Sequence, residues 1–449
     1  MKCVATFLVA GFVALAGRAG ADEPRVSYVR EIAPILRANC VSCHRPGKAK
    51  GGLDLATHAA LMRGGESGQA VHPGDPEKSD LLELVSGEDP EMPKDGDPLS
   101  PRERAKLSLW IAQGAVEDSL TPGSSARPMA PPRYASLPAV AALAWSPDGR
   151  LLAVSGWHEV ILHNASTEGI VGRLVGESPR ITSLVFASDG RELAVAGGAP
   201  SEFGEIQFWE VASRGLRRSI RCTGDTVFGL SQSPDGSRVA VGGVDKLVRV
   251  FAVVDGVEVM RCDNHLDWVL GTAFTADGAR VVSASRDKAL KLIDGMTGRL
   301  VDDVNRAREP LLCLAAFSRE NLVVVGSDSG SLRLHRMEPR GGRLAEGDDK
   351  ELSFVRELDR LPGAVQALAF SPDGAWIAAG GDAGEIRVFR AKDGRRVATV
   401  SAKTGPVFAL AFSPDGTRVA AGGQDGKIRI YDAEKGTQLR EFDGVPLAP

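Results

Sequence analysis

Seven copies of one short pattern fill most of the chain between residues 139 and 444. Each copy has an apolar run, a turn and a second apolar run, as in ALAFSPDGAWIAAGG and ALAFSPDGTRVAAGG. A repeat of about 40–45 residues made of four short strands is the pattern of a β-propeller blade. The turns fall at Gly149, Gly190, Gly236, Gly278, Gly374 and Gly416, with Glu320-Asn321 in the fifth copy.

The second half of each copy predicts two more strands. KIRIYDA at 427–433 alternates in polarity, and the polar run TQLREFDG follows it. Ser-Pro-Asp-Gly makes a tight turn because proline fixes φ and glycine takes the special turn conformation. The sequence therefore predicts an all-β, seven-bladed propeller over residues 139–444. No spare strand precedes Val140, so we expect the ring either to lack an interlocking strand or to be closed by residues 134–137.

These repeats resemble the WD-repeat family, whose terminal Trp-Asp is reduced here to pairs such as Trp209-Glu210 and Tyr431-Asp432. His265, Ser283 and Asp287 have the spacing of the family's His, Ser and Asp. A catalytic dyad is the alternative, but buried polar groups must find partners. We therefore expect a structural hydrogen-bond network. The resemblance also implies a scaffold for docking other proteins. The fifth copy has an insertion near residues 339–352, which we expect to be a surface loop, with a partner site as the alternative.

The first 21 residues have the features of a secretory signal peptide. Lys2 precedes an apolar run from Val4 to Gly17, and Ala19-Gly20-Ala21 supplies a cleavage site. The run has 14 residues, fewer than the roughly 20 needed to span a bilayer. We expect export to the periplasm or the extracellular space, and no membrane span in the rest of the chain.

The charge balance disfavours a nucleic-acid partner. The chain has 54 Lys and Arg against 58 Asp and Glu, and its net charge of −4 becomes −6 when Lys2 and Arg18 leave with the signal. Nucleic-acid binding requires a basic stripe, which this sequence does not have.

Residues 26–117 form a different region, which mixes helical patterns with glycine-rich loops. A segment rich in Pro, Ser and Gly at 118–138 predicts a linker to the repeats. Ser100, Pro101 and Glu103 predict a capped helix start, and Leu107, Trp110 and Ile111 give that helix an apolar face. The sequence predicts a small all-α domain.

ANCVSCHRPG at 38–47 contains Cys40, Cys43 and His44 in the Cys-x-x-Cys-His pattern of c-type haem attachment. Two thiols three residues apart reach the two vinyl groups of one porphyrin, and the next residue offers an imidazole to the iron. A zinc site would require a second ligand pair at short spacing. A thioredoxin-like dithiol would require a βαβ context. In an exported chain, the motif indicates one covalent haem c.

The second axial ligand of such a haem is usually a later Met or His. The candidates are His58, Met62, His72 and Met92. Met62 lies on a helix-like stretch and is expected in the core. Met92 lies in the loop SGEDPEMPKDGDPLS, whereas a methionine of the core normally falls on an apolar face. It is therefore the preferred ligand, with His72 second.

Residues 26–117 resemble the planctomycete-type cytochrome c domain through IAPILRANCVSCHRPGKAKGGLDL, VHPGDPEKSDLLELV and MPKDGDPLSPRERAKLSLWIAQGA. The resemblance implies covalent haem attachment at Cys40 and Cys43 and proximal ligation by His44. The family's Met-Pro segment falls on Met92.

The combination predicts an exported cytochrome that carries electrons to or from an unidentified protein partner, or senses redox state, with the propeller as docking scaffold. An alternative is a haem-propeller oxidoreductase with a second haem in the propeller, bound by His158, His163, His265 or His335. A further alternative is an interaction scaffold whose haem is structural. The sequence makes an electron-transfer protein the preferred interpretation over an enzyme.

Three cysteines remain in the repeats. Cys222 and Cys262 end equivalent strands of adjacent blades, beyond the roughly 7 Å Cα separation that a disulfide bridges. We expect both to be free thiols, and Cys313 to be buried in an apolar strand.

Overall fold

The computed structural model describes residues 26–41, 43–44, 50–55, 58–87, 89–94, 96–116, 130–306, 308–338, 353–401 and 405–448. The predicted signal peptide, the loop at 339–352 and most of the predicted linker lie outside these residues. The chain divides into two compact units, Met1–Thr121 and Pro122–Pro449.

The first unit is built from short helices. A π-helical turn at Tyr28–Ile32 leads into α1 (Ala33–Asn39), and α2 (His58–Arg63), α3 (Asp80–Leu84) and α4 (Pro101–Ala112) follow, with 3₁₀ turns at Lys50–Gly52 and Pro76–Lys78. The described residues of this unit contain no β-strand, only an isolated bridge between Gly65 and Gly68. None of the described helices is long and apolar enough to cross a membrane.

Helix α4 begins at the predicted cap. The Ser100 hydroxyl accepts a hydrogen bond from the Glu103 N–H, and the Glu103 carboxylate accepts one from the Ser100 N–H. Leu107, Trp110 and Ile111 of α4 are buried and form one apolar core with the segment from the π-turn through α1. The other members of that core include Ile32, Ile35, Leu36, Leu61, Val71, Leu81, Val85 and Leu99.

The described residues of the second unit form six antiparallel β-sheets. The first has seven strands: β1 (Leu143–Trp145), β2 (Leu151–Ser155), β3 (Trp157–Asn164), β4 (Ile170–Phe186), β5 (Glu192–Ala199), β6 (Phe203–Glu210) and β7 (Gly215–Thr223). Strand β4 has 17 residues. Its first part pairs with β3 and its second part with β5, so one strand serves two groups of four.

Five four-stranded sheets follow in chain order. They are β8 (Val227–Gln232), β9 (Arg238–Gly243), β10 (Val248–Ala252) and β11 (Glu258–Cys262); β12 (Val269–Phe274), β13 (Arg280–Ser285), β14 (Ala289–Asp294) and β15 (Leu300–Arg306); β16 (Leu311–Phe317), β17 (Leu322–Ser327), β18 (Leu332–Arg336) and β19 (Phe354–Leu358); β20 (Val365–Phe370), β21 (Trp376–Gly381), β22 (Glu385–Arg390) and β23 (Arg396–Ser401); β24 (Val407–Phe412), β25 (Arg418–Gly423), β26 (Lys427–Asp432) and β27 (Gln438–Asp443).

The repeated Ser-Pro-Asp-Gly turns join the first two strands of a group. In the first copy, the Ser146 hydroxyl donates to Asp148 at 2.6 Å, and Gly149 takes a φ of 72°. The same hydroxyl-to-carboxylate bond recurs in the third, fourth, sixth and seventh copies, at Ser233–Asp235, Thr275–Asp277, Ser371–Asp373 and Ser413–Asp415. In the fifth copy, a 3₁₀ turn at Ser318–Glu320 and Asn321 at a φ of 50° replace it.

The groups follow one another around a closed ring. The first strand of each group contacts the first strand of the next: β1 with β4, β4 with β8, β8 with β12, β12 with β16, β16 with β20 and β20 with β24. Strand β24 then contacts β1. The Trp145 indole donates to the Ala411 carbonyl at 3.2 Å across this last contact.

The two ends of the second unit also meet. Tyr134 forms a parallel bridge with Leu447, and the Ala448 N–H donates to the Tyr134 carbonyl at 2.8 Å. The segment around Tyr134, which we expected within the linker, therefore packs against the ring, at the place where the sequence left closure open.

Candidate functional site

Cys40, Cys43 and His44 lie in one turn that begins where α1 ends. The Cys40 N–H donates to the Leu36 carbonyl at 2.8 Å. The Cys43 and His44 N–H groups both donate to the Cys40 carbonyl at 3.1 Å. Both thiols are half-buried. The helix end and the turn thus bring two thiols and one imidazole within five residues of backbone.

The His44 ring is oriented by a backbone carbonyl. Its Nδ1 lies 3.3 Å from the Leu53 oxygen, and the Leu55 N–H returns a bond to the His44 carbonyl at 2.9 Å. A carbonyl at Nδ1 favours the tautomer that carries the proton there, which leaves Nε2 as the coordinating nitrogen. Sequence reasoning missed this role of Leu53, because a backbone carbonyl has no residue-type signal.

The apolar rim is a set of six half-buried side chains that pack against the core of the first unit: Cys40, Val41, Leu53, Met62, Leu82 and Met92. Burial raises the pKa of Cys40 to about 11. Cys40 and the predicted ligand Met92 thus pack against the same core, and Met62, expected in the core, packs against it as well.

The residues of this region fit a c-type haem. Such a haem is attached to the chain through two thiols, and its iron takes a neutral imidazole and a second imidazole or a thioether as ligands. Half-exposed apolar side chains give a large planar group a surface to cover. No group of three His, Cys, Asp or Glu comes together as a metal site in the described part of the chain. Met92 is held by its N–H, which donates to the Leu84 carbonyl at 2.9 Å.

The two histidine candidates of this unit have other contacts. His58 Nε2 lies 2.8 Å from the Ala115 carbonyl, and its ring meets Tyr28 edge-on at 4.8 Å. His58 is therefore part of the aromatic core beside Trp110. His72 is half-buried, and its N–H donates to the Ser79 hydroxyl at 2.9 Å.

The predicted His265, Ser283 and Asp287 meet in the β12–β15 sheet. His265 Nδ1 lies 2.8 Å from Asp287 Oδ2, and its Nε2 lies 2.7 Å from the Ser283 hydroxyl. Burial acts to raise the pKa of Asp287, but bonds from His265 and the Leu266 N–H outweigh it and lower that pKa to about 2. The network connects the loop before β12 to the turn after β13.

The remaining histidines of the second unit make hydrogen bonds within the fold. His163 is buried, with Nδ1 3.1 Å from the Glu168 carbonyl and Nε2 3.0 Å from the Gly444 carbonyl. His158 Nδ1 lies 3.0 Å from the Glu177 carbonyl. His335 is fully buried, with Nδ1 3.3 Å from the Ser353 hydroxyl.

The cysteines of the repeats are free thiols, as expected for Cys222 and Cys262. Cys313 is only partly buried, which corrects the expectation of full burial. Its thiol lies 3.4 Å from the Val365 carbonyl of the neighbouring sheet.

Comparison with known families matches both regions. Residues 40–96 match the family described as "Planctomycete cytochrome C". The chain is thus similar to planctomycete cytochrome C in one segment and to WD repeats in another. Residues 216–251, 256–294 and 394–432 match "WD domain, G-beta repeat", and residues 315–408 match "Anaphase-promoting complex subunit 4 WD40 domain". These matches confirm the two resemblances drawn from the sequence.

Curated relatives share parts of the chain. WD repeat-containing protein 55 of Rattus norvegicus is 27% identical over 150 residues, 32% of this chain and 38% of that protein. WD repeat-containing protein SL1-17 of Schistosoma mansoni is 34% identical over 22% of this chain and 33% of its own length. Eukaryotic translation initiation factor 3 subunit I of Mycosarcoma maydis is 26% identical over 38% of this chain and 52% of its own length. The chain thus spans a third to a half of these relatives.

Proposed function

We propose that this protein is an exported c-type cytochrome that carries electrons through one covalent haem. The observation that carries the proposal is the Cys40–His44 turn, with His44 oriented by the Leu53 carbonyl, inside the segment similar to planctomycete cytochrome C. Cys40 and Cys43 would attach the haem, and His44 would be the proximal ligand. When bound, the haem supplies reversible one-electron chemistry.

The chain's own residues have three tasks at this site. The end of α1 and the following turn hold the two thiols at a fixed separation. Leu53 keeps the proton of His44 on Nδ1. The apolar rim, which includes Cys40 and Leu53, would give the haem an apolar surface to cover. Met92 is proposed as the distal ligand, since it lies in this rim and its backbone is tied to Leu84.

The second unit is proposed as a seven-bladed β-propeller that docks a protein partner. Counting β4 once for each group that it serves gives seven groups of four strands, and the closed cycle of first strands supports that number. WD repeats in the relatives support a role in protein interaction, which would bring a redox partner to the protein.

The attachment is tested by haem staining after denaturing electrophoresis of the mature protein. We expect a stained band for the wild type and none for the Cys40→Ala/Cys43→Ala double variant. A Cys222→Ala variant is the matched control and should stain normally. Staining that persists in the double variant would refute covalent attachment at these residues.

The electron-transfer role is tested by a spectroscopic redox titration. A carrier should cycle reversibly between ferric and ferrous forms with one midpoint. A structural haem that does not cycle would favour the scaffold interpretation instead. A second chromophore beyond one haem per chain would favour the haem-propeller oxidoreductase. Export is tested separately, by recovering the mature protein from the periplasmic or extracellular fraction with residue 22 at its N-terminus.

A further inference from the structure

A cavity of about 140 Å³ opens at one end of the β16–β19 sheet, the fifth blade of the proposed propeller. It lies where the segment after β15, the turn after β17 and the segment after β19 come together. Its lining includes three arginines. Arg308 lies in the segment after β15, Arg333 lies in β18, and Arg360 lies in the segment after β19. The family resemblances assign no role to this cavity.

The fourth blade explains why the space is open. Val269 pairs with Ser285 and Thr272 with Ser283, just as Leu311 pairs with Ser327 and Leu314 with Val325. Adding 42 to a residue number of the fourth blade therefore gives the residue with the same strand pairing in the fifth blade.

The polar network of the fourth blade has no counterpart at the equivalent positions of the fifth blade. The positions of Ser283 and Asp287 are taken by Val325 and Ser329, and that of His265 corresponds in the sequence to Ala307, which lies outside the described residues. An apolar side chain and a hydroxyl thus stand where the fourth blade has a hydroxyl and a carboxylate. The fifth blade has a cavity at this place, with Val325 and Leu311 in its wall.

The lining is cationic. Three arginines face two glutamates, Glu309 and Glu357, which leaves one formal positive charge. Glu309 is already engaged within the wall: its Oε2 accepts bonds from the Ser327 and Ser329 hydroxyls, and its Oε1 lies 3.3 Å from Arg360. The Ser329 bond lowers the pKa of Glu309 and outweighs the effect of burial, and Ser327 and Arg360 add to it, so this glutamate stays ionised.

Arginine is suited to one class of ligand in particular. Its planar guanidinium presents paired N–H donors that match the oxygens of phosphate and carboxylate groups. We propose that the cavity binds a small oxyanion, a phosphate or carboxylate group held by Arg308, Arg333 and Arg360. Leu311 and Val325 form the apolar part of the wall, which excludes water from one side of the anion and strengthens the charged hydrogen bonds.

Isothermal titration calorimetry on the full mature protein tests the proposal. Sodium phosphate and sodium succinate are titrated separately, with sodium chloride at the same ionic strength as reference. We expect saturable binding of one anion per chain for phosphate, succinate or both. The anion with the lower dissociation constant shows whether the site prefers a tetrahedral phosphate or a planar carboxylate group. Heats no different from those of chloride for both anions would overturn the proposal.

Variants assign the binding to the cavity. Arg308 is exposed, so Arg308→Gln should fold normally and weaken binding about tenfold, the value of one charge-assisted hydrogen bond. Arg333→Gln should do the same, and if it fails to fold Arg308→Gln decides alone. Arg191→Gln, at an exposed arginine of the second blade, is the matched control and should leave binding unchanged. Equal weakening by Arg191→Gln and Arg308→Gln would show general charge screening and refute the site.

Discussion

The Tyr134 hydroxyl donates to Glu159 Oε1 at 2.7 Å, and this bond fastens the start of the second unit to strand β3. Glu159 is 1% exposed and also forms an ion pair with Arg173, whose Nε and Nη2 lie 2.7 and 2.6 Å from its two oxygens. The Trp157 N–H donates to the same hydroxyl at 3.0 Å. Because Tyr134 also bridges to Leu447, one residue joins the first sheet to the end of the chain.

Tyr134→Phe should therefore destabilise the second unit. The change leaves a buried carboxylate with one donor fewer, which costs about 1–3 kcal/mol. Chemical denaturation followed by far-ultraviolet circular dichroism measures the loss. Tyr431→Phe is the matched control, because Tyr431 is also buried but its hydroxyl makes no hydrogen bond among the described residues. If both variants lose the same stability, the bond to Glu159 has no special role.

His335→Phe should stabilise the second unit. His335 is fully buried, and its Nε2 has no hydrogen-bond partner among the described residues. Equivalent positions in the sixth and seventh groups carry Phe389 and Tyr431, at the same place in the strand pairing. Replacing a buried unsatisfied polar atom with carbon should add about 1–2 kcal/mol, measured as a higher midpoint of thermal unfolding.

His163→Phe should have the opposite effect to His335→Phe. His163 lies at the position of the first group that is equivalent to His335 in the fifth. The two ring nitrogens of His163 lie 3.1 and 3.0 Å from the carbonyl oxygens of Glu168 and Gly444. A carbonyl oxygen only accepts, so a ring N–H donates to at least one of them, and the same substitution removes that bond. We expect His163→Phe to lower the unfolding midpoint. A rise in both variants would show that aromatic packing alone decides stability at this position.

The pH dependence of stability should also change in His335→Phe. Burial lowers the pKa of His335 from 6.5 to about 4. Between these values the unfolded chain binds a proton that the folded chain does not, so stability falls as pH falls from about 6.5 to about 4. The wild type should lose more stability than His335→Phe over this window. Parallel stability curves from pH 7 to pH 4 would contradict a neutral, buried His335.

The sequence predicted most of the β unit because its repeats carry local signals. Each Ser-Pro-Asp-Gly turn is fixed by a hydroxyl, a carboxylate and one glycine, all within four residues. Ring closure carried no such signal, since Tyr134 and Leu447 meet through backbone atoms at opposite ends of the unit. Strand β4 runs through residues 176–180 without a break, where the repeat pattern led us to expect two separate strands.

In the candidate site, too, the sequence predicted the features that depend on neighbouring residues and not those that depend on distant ones. Cys40, Cys43 and His44 are recognisable because the spacing of residue types is itself the chemical requirement. The Leu53 carbonyl and the shared apolar rim depend on how distant segments pack, so the sequence could not place them. Met62 and Met92 are the clearest case, because both are half-buried against the same core, and a half-buried methionine has the same sequence pattern whether it packs or binds a metal.

His265 and Asp287 should show energetic coupling in a double-mutant cycle. Each is joined to the other and to a backbone or hydroxyl partner, so either single change removes one hydrogen bond from the other buried group. His265→Leu and Asp287→Ala should each destabilise the protein, and the double variant should lose less than the sum by about 1–3 kcal/mol. Additive losses would show that the two residues act separately. Haem staining and redox behaviour should be unchanged in all three variants if the network is structural.

Met92→Ala should remove the proposed distal ligand and leave the covalent haem in place. Thioether ligation favours the ferrous state, so its loss should lower the midpoint potential and let added imidazole bind the iron, seen as a spectral change. Met62→Ala is the matched control, because Met62 lies in the same apolar rim. His72→Ala tests the second candidate. Neither should open a site for imidazole. Retention of the low-spin spectrum by Met92→Ala together with its loss in Met62→Ala or His72→Ala would assign the distal ligand to that residue instead.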